Sequence, residues 1–159
     1  GDKLAKQLKW EFRDLDKMIE ARAELPISDI FRAHGEDYFR KLETEAIKDT
    51  AGLENTIIAT GGGAPCNEEN IQLLKQQGIT VYLKLLEEKL VKRLKKSQQE
   101  RPLLKNLKPS EIPGFVSQKM KARSYYYLQA DLVIDPIDFP AKKLKGILEE
   151  DYLENEQGA

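Results

Sequence analysis

Two aspartates two residues apart, Asp14-Leu15-Asp16, close a short stretch that begins near Phe12. Residues two apart on a strand project to the same side, so both carboxylates can point into one crevice. One can hold Mg²⁺, usually through its waters, while the other accepts a hydrogen bond from an attacking hydroxyl. Helix capping by Asp16 would account for one of the two aspartates and leave the other unexplained. A second candidate is Ile57-Ile58-Ala59-Thr60-Gly61-Gly62-Gly63. Its apolar residues suit a buried parallel strand, and the glycines remove every side chain at the carboxyl end, where open α/β sheets bind ligands. A tight turn needs fewer glycines; three in a row let backbone N–H groups approach an anion or a polar ligand.

Several arginines could serve such a site. Arg40 and Glu43, within Gly35-Glu36-Asp37-Tyr38-Phe39-Arg40-Lys41-Leu42-Glu43, are spaced to pair on one helical face. The pair is either a solvated surface bridge or an arginine oriented to grip a carboxylate bidentately. Phe31 and Phe39 would form an apolar wall or simply core. Arg101-Pro102-Leu103-Leu104 lies in residues 97–114, which contain three prolines and little periodicity and so fit an active-site lid. An arginine there can neutralise charge on a transferred group, or stay solvated. Arg123, before Ser124-Tyr125-Tyr126-Tyr127, is a second carboxylate grip. Arg93 can stack on a nucleotide base or face water. The run Asp135 to Pro140 suits a loop beside a purine ring. Cys66 is assigned to packing and His34 to the surface.

The elements that must position these residues alternate between helix and strand, the mark of an α/β fold with a parallel sheet. Leu4, Ala5 and Leu8 share a helical face, and Trp10 to Asp14 is a short strand. Helices are expected over Asp16 to Ala23, from a Ser28 cap with Ile27, Ile30 and Phe31 inward, and over Tyr38 to Ala51. Gly52 precedes the strand Thr56 to Thr60. Asn67 caps a helix ending near Gln77 and Gly78, before the strand Ile79 to Leu85. Glu87 to Lys96 is a helix with Leu90 and Leu94 on its buried side. Phe115 to Tyr127 is helical, Ala130 to Asp135 a strand, and Ala141 to Leu148 a last helix. The acidic tail 149–159 is expected to fray.

Composition narrows the partners. The 159 residues carry a net charge of −1 with 33% charged residues, which gives no global field for nucleic acid or an anionic membrane. No apolar run approaches the roughly 20 residues of a membrane span. One cysteine and one histidine exclude an internal disulfide and a cysteine- or histidine-rich metal site. With no signal peptide read at the N-terminus, a reduced, cytoplasmic, soluble single domain is expected.

The ordered set Asp14-x-Asp16, Gly35-Glu36-x-x-Phe39-Arg40-x-x-Glu43, Thr60-Gly61-Gly62-Gly63, Arg101-Pro102-Leu103-Leu104 and Arg123 resembles the shikimate kinase family, over Gly1 to about Pro140. The resemblance implies a nucleoside monophosphate kinase-like α/β fold: a parallel sheet flanked by helices, a substrate-binding region over about 16–45 and the lid at 97–114. It further implies that Asp14 helps hold Mg²⁺ and that Asp16 binds ring hydroxyls and acts as base. Arg40 and Arg123 would hold the shikimate carboxylate, and Gly61, Gly62 and Gly63 would line the substrate. Arg101 would act from the lid, while Arg93 and the loop around Pro140 would frame the adenine of ATP. The implied reaction is γ-phosphoryl transfer from ATP to the shikimate 3-hydroxyl, by a monomer.

The family's Gly-x-x-x-x-Gly-Lys-Ser/Thr phosphate loop has no counterpart in the sequence. The chain opens inside a helix that such a loop and its strand would precede, so an incomplete N-terminus is expected, with near inactivity and poor stability for residues 1–159 alone. Two other readings remain open. One is a catalytically inactive relative that binds or regulates; the other is a kinase for another small hydroxy acid such as gluconate.

Overall fold

The computed structural model describes residues 1–96, 104, 107–136 and 144–148. The chain divides into two compact units, one built on Gly1–Ala64 with the described residues from Asp135 onward, the other on Pro65–Ile134. Arg101 and Pro140, half of the expected lid (97–103, 105 and 106) and the acidic tail lie outside the described residues.

In the first unit, α1 (Asp2–Leu8) buries Leu4 and Ala5. Lys9 then adopts a left-handed conformation at φ 59°, and the chain turns into β1 (Glu11–Asp14). Helix α2 (Leu15–Ala23) starts at the next residue, because Asp14 is its cap: Oδ1 accepts from the N–H groups of Asp16 at 3.0 Å and Lys17 at 3.4 Å. This corrects the expected geometry of the aspartate pair. Asp14 ends the strand, while Asp16 stands in the first helical turn, so helix geometry and not strand alternation sets their relative direction. The cap is Asp14, not Asp16.

Leu15 and Ile19, one turn apart on α2, are fully buried and face α3 (Ile27–Lys48), whose Ile30, Phe39, Ala46 and Ile47 complete the core. Ser28 does not cap α3; Pro26 occupies that position and Ser28 is already helical. The Ile27 N–H donates instead to Glu20 Oε1 at 3.1 Å. Hydrogen bonds from Lys17 and then from Ile27 hold the Glu20 carboxyl below its ordinary range, against a smaller opposing effect of burial. Helix α3 breaks at Gly35, where φ is 80° and ψ −178°. That region is accessible essentially to glycine alone. The break separates the two helices expected from the sequence and fixes the direction in which Glu36 to Lys48 runs.

Strand β2 (Thr56–Ala59) pairs parallel with β1, with Glu11 opposite Thr56 and Asp14 opposite Ala59. The two carboxyl ends are therefore level. The start of α2 and the turn after Ala59 leave the sheet side by side.

In the second unit, α4 (Glu68–Gln77) is capped by Asn67, whose side chain accepts from Asn70 N–H at 2.8 Å. Strand β3 (Val81–Leu83) leads to α5 (Glu87–Lys96), which packs on α6 (Ile112–Tyr127) before β4 (Leu132–Ile134) returns parallel to β3. Leu90 and Leu94 are only half-buried, and α5 has no fully buried residue. The β3–β4 pair is clamped at its start by Asp131, whose Oδ2 accepts from Thr80 N–H at 2.9 Å and Thr80 O–H at 2.6 Å. Among the described residues both strand pairings are parallel and flanked by helices, as expected for an α/β fold. Among the same residues no helix is long and apolar enough to cross a membrane.

Gly35 and Gly78 both have open space where a Cβ would stand. Only Gly35 has a backbone forbidden to other residues, since Gly78 at φ 166° is merely extended. Denaturant unfolding should show Gly35→Ala destabilised by about 1–3 kcal/mol and Gly78→Ala by much less. Equal effects would contradict the assignment of strain to the α3 break.

Candidate functional site

The level ends of β1 and β2 bring Asp16, and α3 brings Arg40, to the glycine turn. A Cβ on Gly61 would stand 3.9 Å from Asp16 Oδ1, ordinary contact distance. A Cβ on Gly63 would stand 2.6 Å from Arg40 Nη1, closer than such atoms ever approach. Gly61 also has φ 71°, a left-handed conformation that disfavours a side chain for a separate reason. Gly61 is thus favoured by its backbone, while a side chain at Gly63 would push the Arg40 guanidinium out of its place. Within the first unit, the glycine turn has Asp16 near Gly61 and Arg40 at Gly63.

Arg40 is held by two carboxylates from its own helix. Nη1 donates to Glu43 at 2.5 Å, while Nη2 and Nε donate to Glu36 Oε1 at 2.7 and 3.3 Å. Glu43 is buried, its side chain 4% exposed, so the expected alternative of a solvated surface bridge does not describe it. The Glu36 side chain, at 55%, is open to water. Burial alone would lower the Arg40 pKa; hydrogen bonds to Glu36 and Glu43 outweigh it and raise it. Phe39 is buried, lies 4.6 Å from the Phe31 ring between centroids, and carries the Arg40 guanidinium 5.5 Å from its own centroid. Phe39 is both core and the wall behind Arg40, with Phe31 half-buried beside it. A guanidinium has five N–H donors. The bonds to Glu36 and Glu43 engage three of them, on Nε and on each terminal nitrogen.

The second unit carries the other described candidates. Arg123 is half-buried on α6 and interacts with Tyr127 one turn later, and Tyr127 also interacts with Cys66. Tyr127 stacks on Tyr82 with ring centroids 4.9 Å apart. Arg93 is exposed on α5. Glu36 and Tyr127 had no role assigned from the sequence. Both stand four residues from an arginine, and that spacing is the signal that identifies them.

This arrangement has the character of the nucleoside monophosphate kinase-like α/β fold. A shikimate kinase family model matches residues 1–150. The chain is 38% identical over 135 residues to the shikimate kinase of Parabacteroides distasonis, an overlap of 85% of this chain and 78% of that protein. With the shikimate kinase of Geobacter sulfurreducens the identity is 42% over 135 residues, covering 85% and 72%. The crystal structure of the Bacteroides thetaiotaomicron shikimate kinase superimposes with a TM-score of 0.86 at 32% identity, covering 94% of this chain and 89% of that one. The Acinetobacter baumannii shikimate kinase in complex with shikimate gives 0.82 at 31% identity, covering 98% and 85%. The chain belongs to the shikimate kinase family.

Burial pushes the Tyr127 hydroxyl up to about 12; Arg123 opposes this and Cys66 adds to it. The folded state then keeps its proton longer than the unfolded chain. The Tyr127 contribution to stability is complete below pH 10 and is lost as pH rises from about 10 to 12. The ultraviolet phenolate titration of the wild type minus that of Tyr127→Phe should have its midpoint near 12. A midpoint near the ordinary tyrosine value of about 10 would contradict the desolvation of Tyr127 on α6.

Proposed function

We propose that this chain carries out ATP-dependent phosphorylation of the shikimate 3-hydroxyl, a step of chorismate and aromatic amino acid biosynthesis. The observation that supports this most is the side-by-side placement of Asp16 and Arg40 on a glycine turn. A carboxylate that accepts hydrogen bonds from hydroxyls and a guanidinium that takes a carboxylate, separated by bare backbone, suit a small hydroxylated acid. Asp16 would hold the ring hydroxyls and accept the proton of the one that attacks. Arg40, with Arg123, would hold the carboxylate, and Gly61, Gly62 and Gly63 would line the ring. Arg101 would neutralise charge on the transferred group, while Arg93 and Pro140 would frame the adenine. These roles belong to a single kinase domain with its substrate-binding region at about 16–45 and its lid at 97–114, acting as a cytoplasmic monomer.

ATP and Mg²⁺ are the cofactors of this reading. Among the described residues no cluster of three acidic, histidine or cysteine side chains could cage a metal. Mg²⁺ does not require one, since it keeps several waters and takes one or two carboxylates together with substrate phosphates. Asp14 fits that demand: its Oδ1 is engaged in the α2 cap, leaving Oδ2 for a magnesium-bound water. The metal would supply charge neutralisation between the phosphates. The sequence offers no glycine-rich Lys-Ser/Thr loop for those phosphates, so shikimate binding tests the assignment more directly than turnover does.

Titration calorimetry on residues 1–159 should give saturable shikimate binding and much weaker heats with gluconate. Arg40→Gln should weaken shikimate at least about tenfold, the loss expected for a charge-assisted hydrogen-bonded pair. No shikimate binding, or equal binding of gluconate, would overturn the proposal.

A further inference from the structure

The two carboxylates on Arg40 are not equivalent. Glu43 is buried against Nη1, and removing its partner would strand a charge away from water. Glu36 is open to water and meets Nε and Nη2 through a single oxygen, at unequal distances of 3.3 and 2.7 Å. That Nε/Nη2 fork is the edge an anion with two oxygens fills bidentately. One oxygen of Glu36 fills it incompletely. Charge points the same way: a guanidinium between two carboxylates makes a group of net negative charge, and a third carboxylate would be repelled unless one of the two withdraws.

We infer that Glu36 is an internal stand-in for the ligand carboxylate: it occupies the Arg40 fork in the empty site and is displaced when the anion arrives, while Glu43 stays. Glu36 keeps the guanidinium aimed over Gly63 before binding, and its withdrawal to solvent keeps the charge around Arg40 constant when the substrate enters. Its exposed position four residues before Arg40 makes the exchange easy, because solvated pairs of this kind are weak. The inference rests on the proposed role of Arg40 as a carboxylate grip.

Calorimetric affinities for shikimate and for its methyl ester, measured on the wild type, Glu36→Gln and Arg40→Gln, test it. Glutamine keeps a neutral acceptor at position 36 and removes the competing charge. Glu36→Gln should tighten shikimate about two- to fivefold and leave the ester unchanged. Unchanged or weakened shikimate binding, or equal tightening of the ester, would overturn the inference. Arg40→Gln separates the stand-in role from the grip beneath it. If it weakens shikimate while Glu36→Gln fails to tighten it, only the stand-in role falls; if it leaves both ligands unchanged, the carboxylate grip falls and takes the stand-in role with it.

Discussion

The guanidinium of Arg40 lies so close to the backbone of Gly63 that a Cβ there would displace it. The rest of the first unit makes this approach possible. Gly35 breaks α3 so that the helix bearing Arg40 restarts in a new direction, and buried Glu43 pins one edge of the guanidinium. Phe39, Ala46 and Ile47 of the same helix are held in the core with Leu15 and Ile19 of α2. The same α2 carries Asp16 in its first turn. The core residues and the site residues therefore share two helices, and packing sets the geometry of the chemistry.

Strand register supplies the second constraint. With Asp14 level with Ala59, the first turn of α2 and the glycine turn emerge from neighbouring strand ends. The Asp14 cap makes the strand-to-helix change abrupt, since its carboxylate satisfies N–H groups that the first helical turn would otherwise leave unpaired. Asp14 thus has a structural task whether or not a metal is present. The Asp14-x-Asp16 spacing is one residue for the cap and one for the candidate site, joined by the geometry of a helix start.

Much of this was legible in the residues. The helix Glu87–Lys96 and the Asn67 cap follow from periodicity and capping chemistry, and the pairing of Arg40 with Glu43 follows from helical spacing. The expected strands Trp10 to Asp14 and Thr56 to Thr60 each overran the observed ones by a residue, because ladder pairing stops where the partner does. Ser28 misled because Pro26 and the distant Glu20 carboxylate took over the start of α3, a tertiary contact that local sequence does not reveal. The glycine run suggests from sequence a floor for a ligand; in the structure the group that approaches Gly63 is the Arg40 guanidinium from another element. The burial of Glu43 and the exposure of Glu36, which make two similar glutamates different, depend on packing and have no signature in spacing alone.

A double-mutant cycle on shikimate affinity, with Gly63→Ala, Arg40→Gln and both together, tests the central contact most directly. If Gly63 is small so that Arg40 can occupy its place, adding Gly63→Ala to Arg40→Gln should cost little further affinity, and the coupling between the two should be close to the whole effect of Gly63→Ala. Independent losses that simply add would mean that Gly63 serves the ligand by itself and that its closeness to Arg40 is incidental.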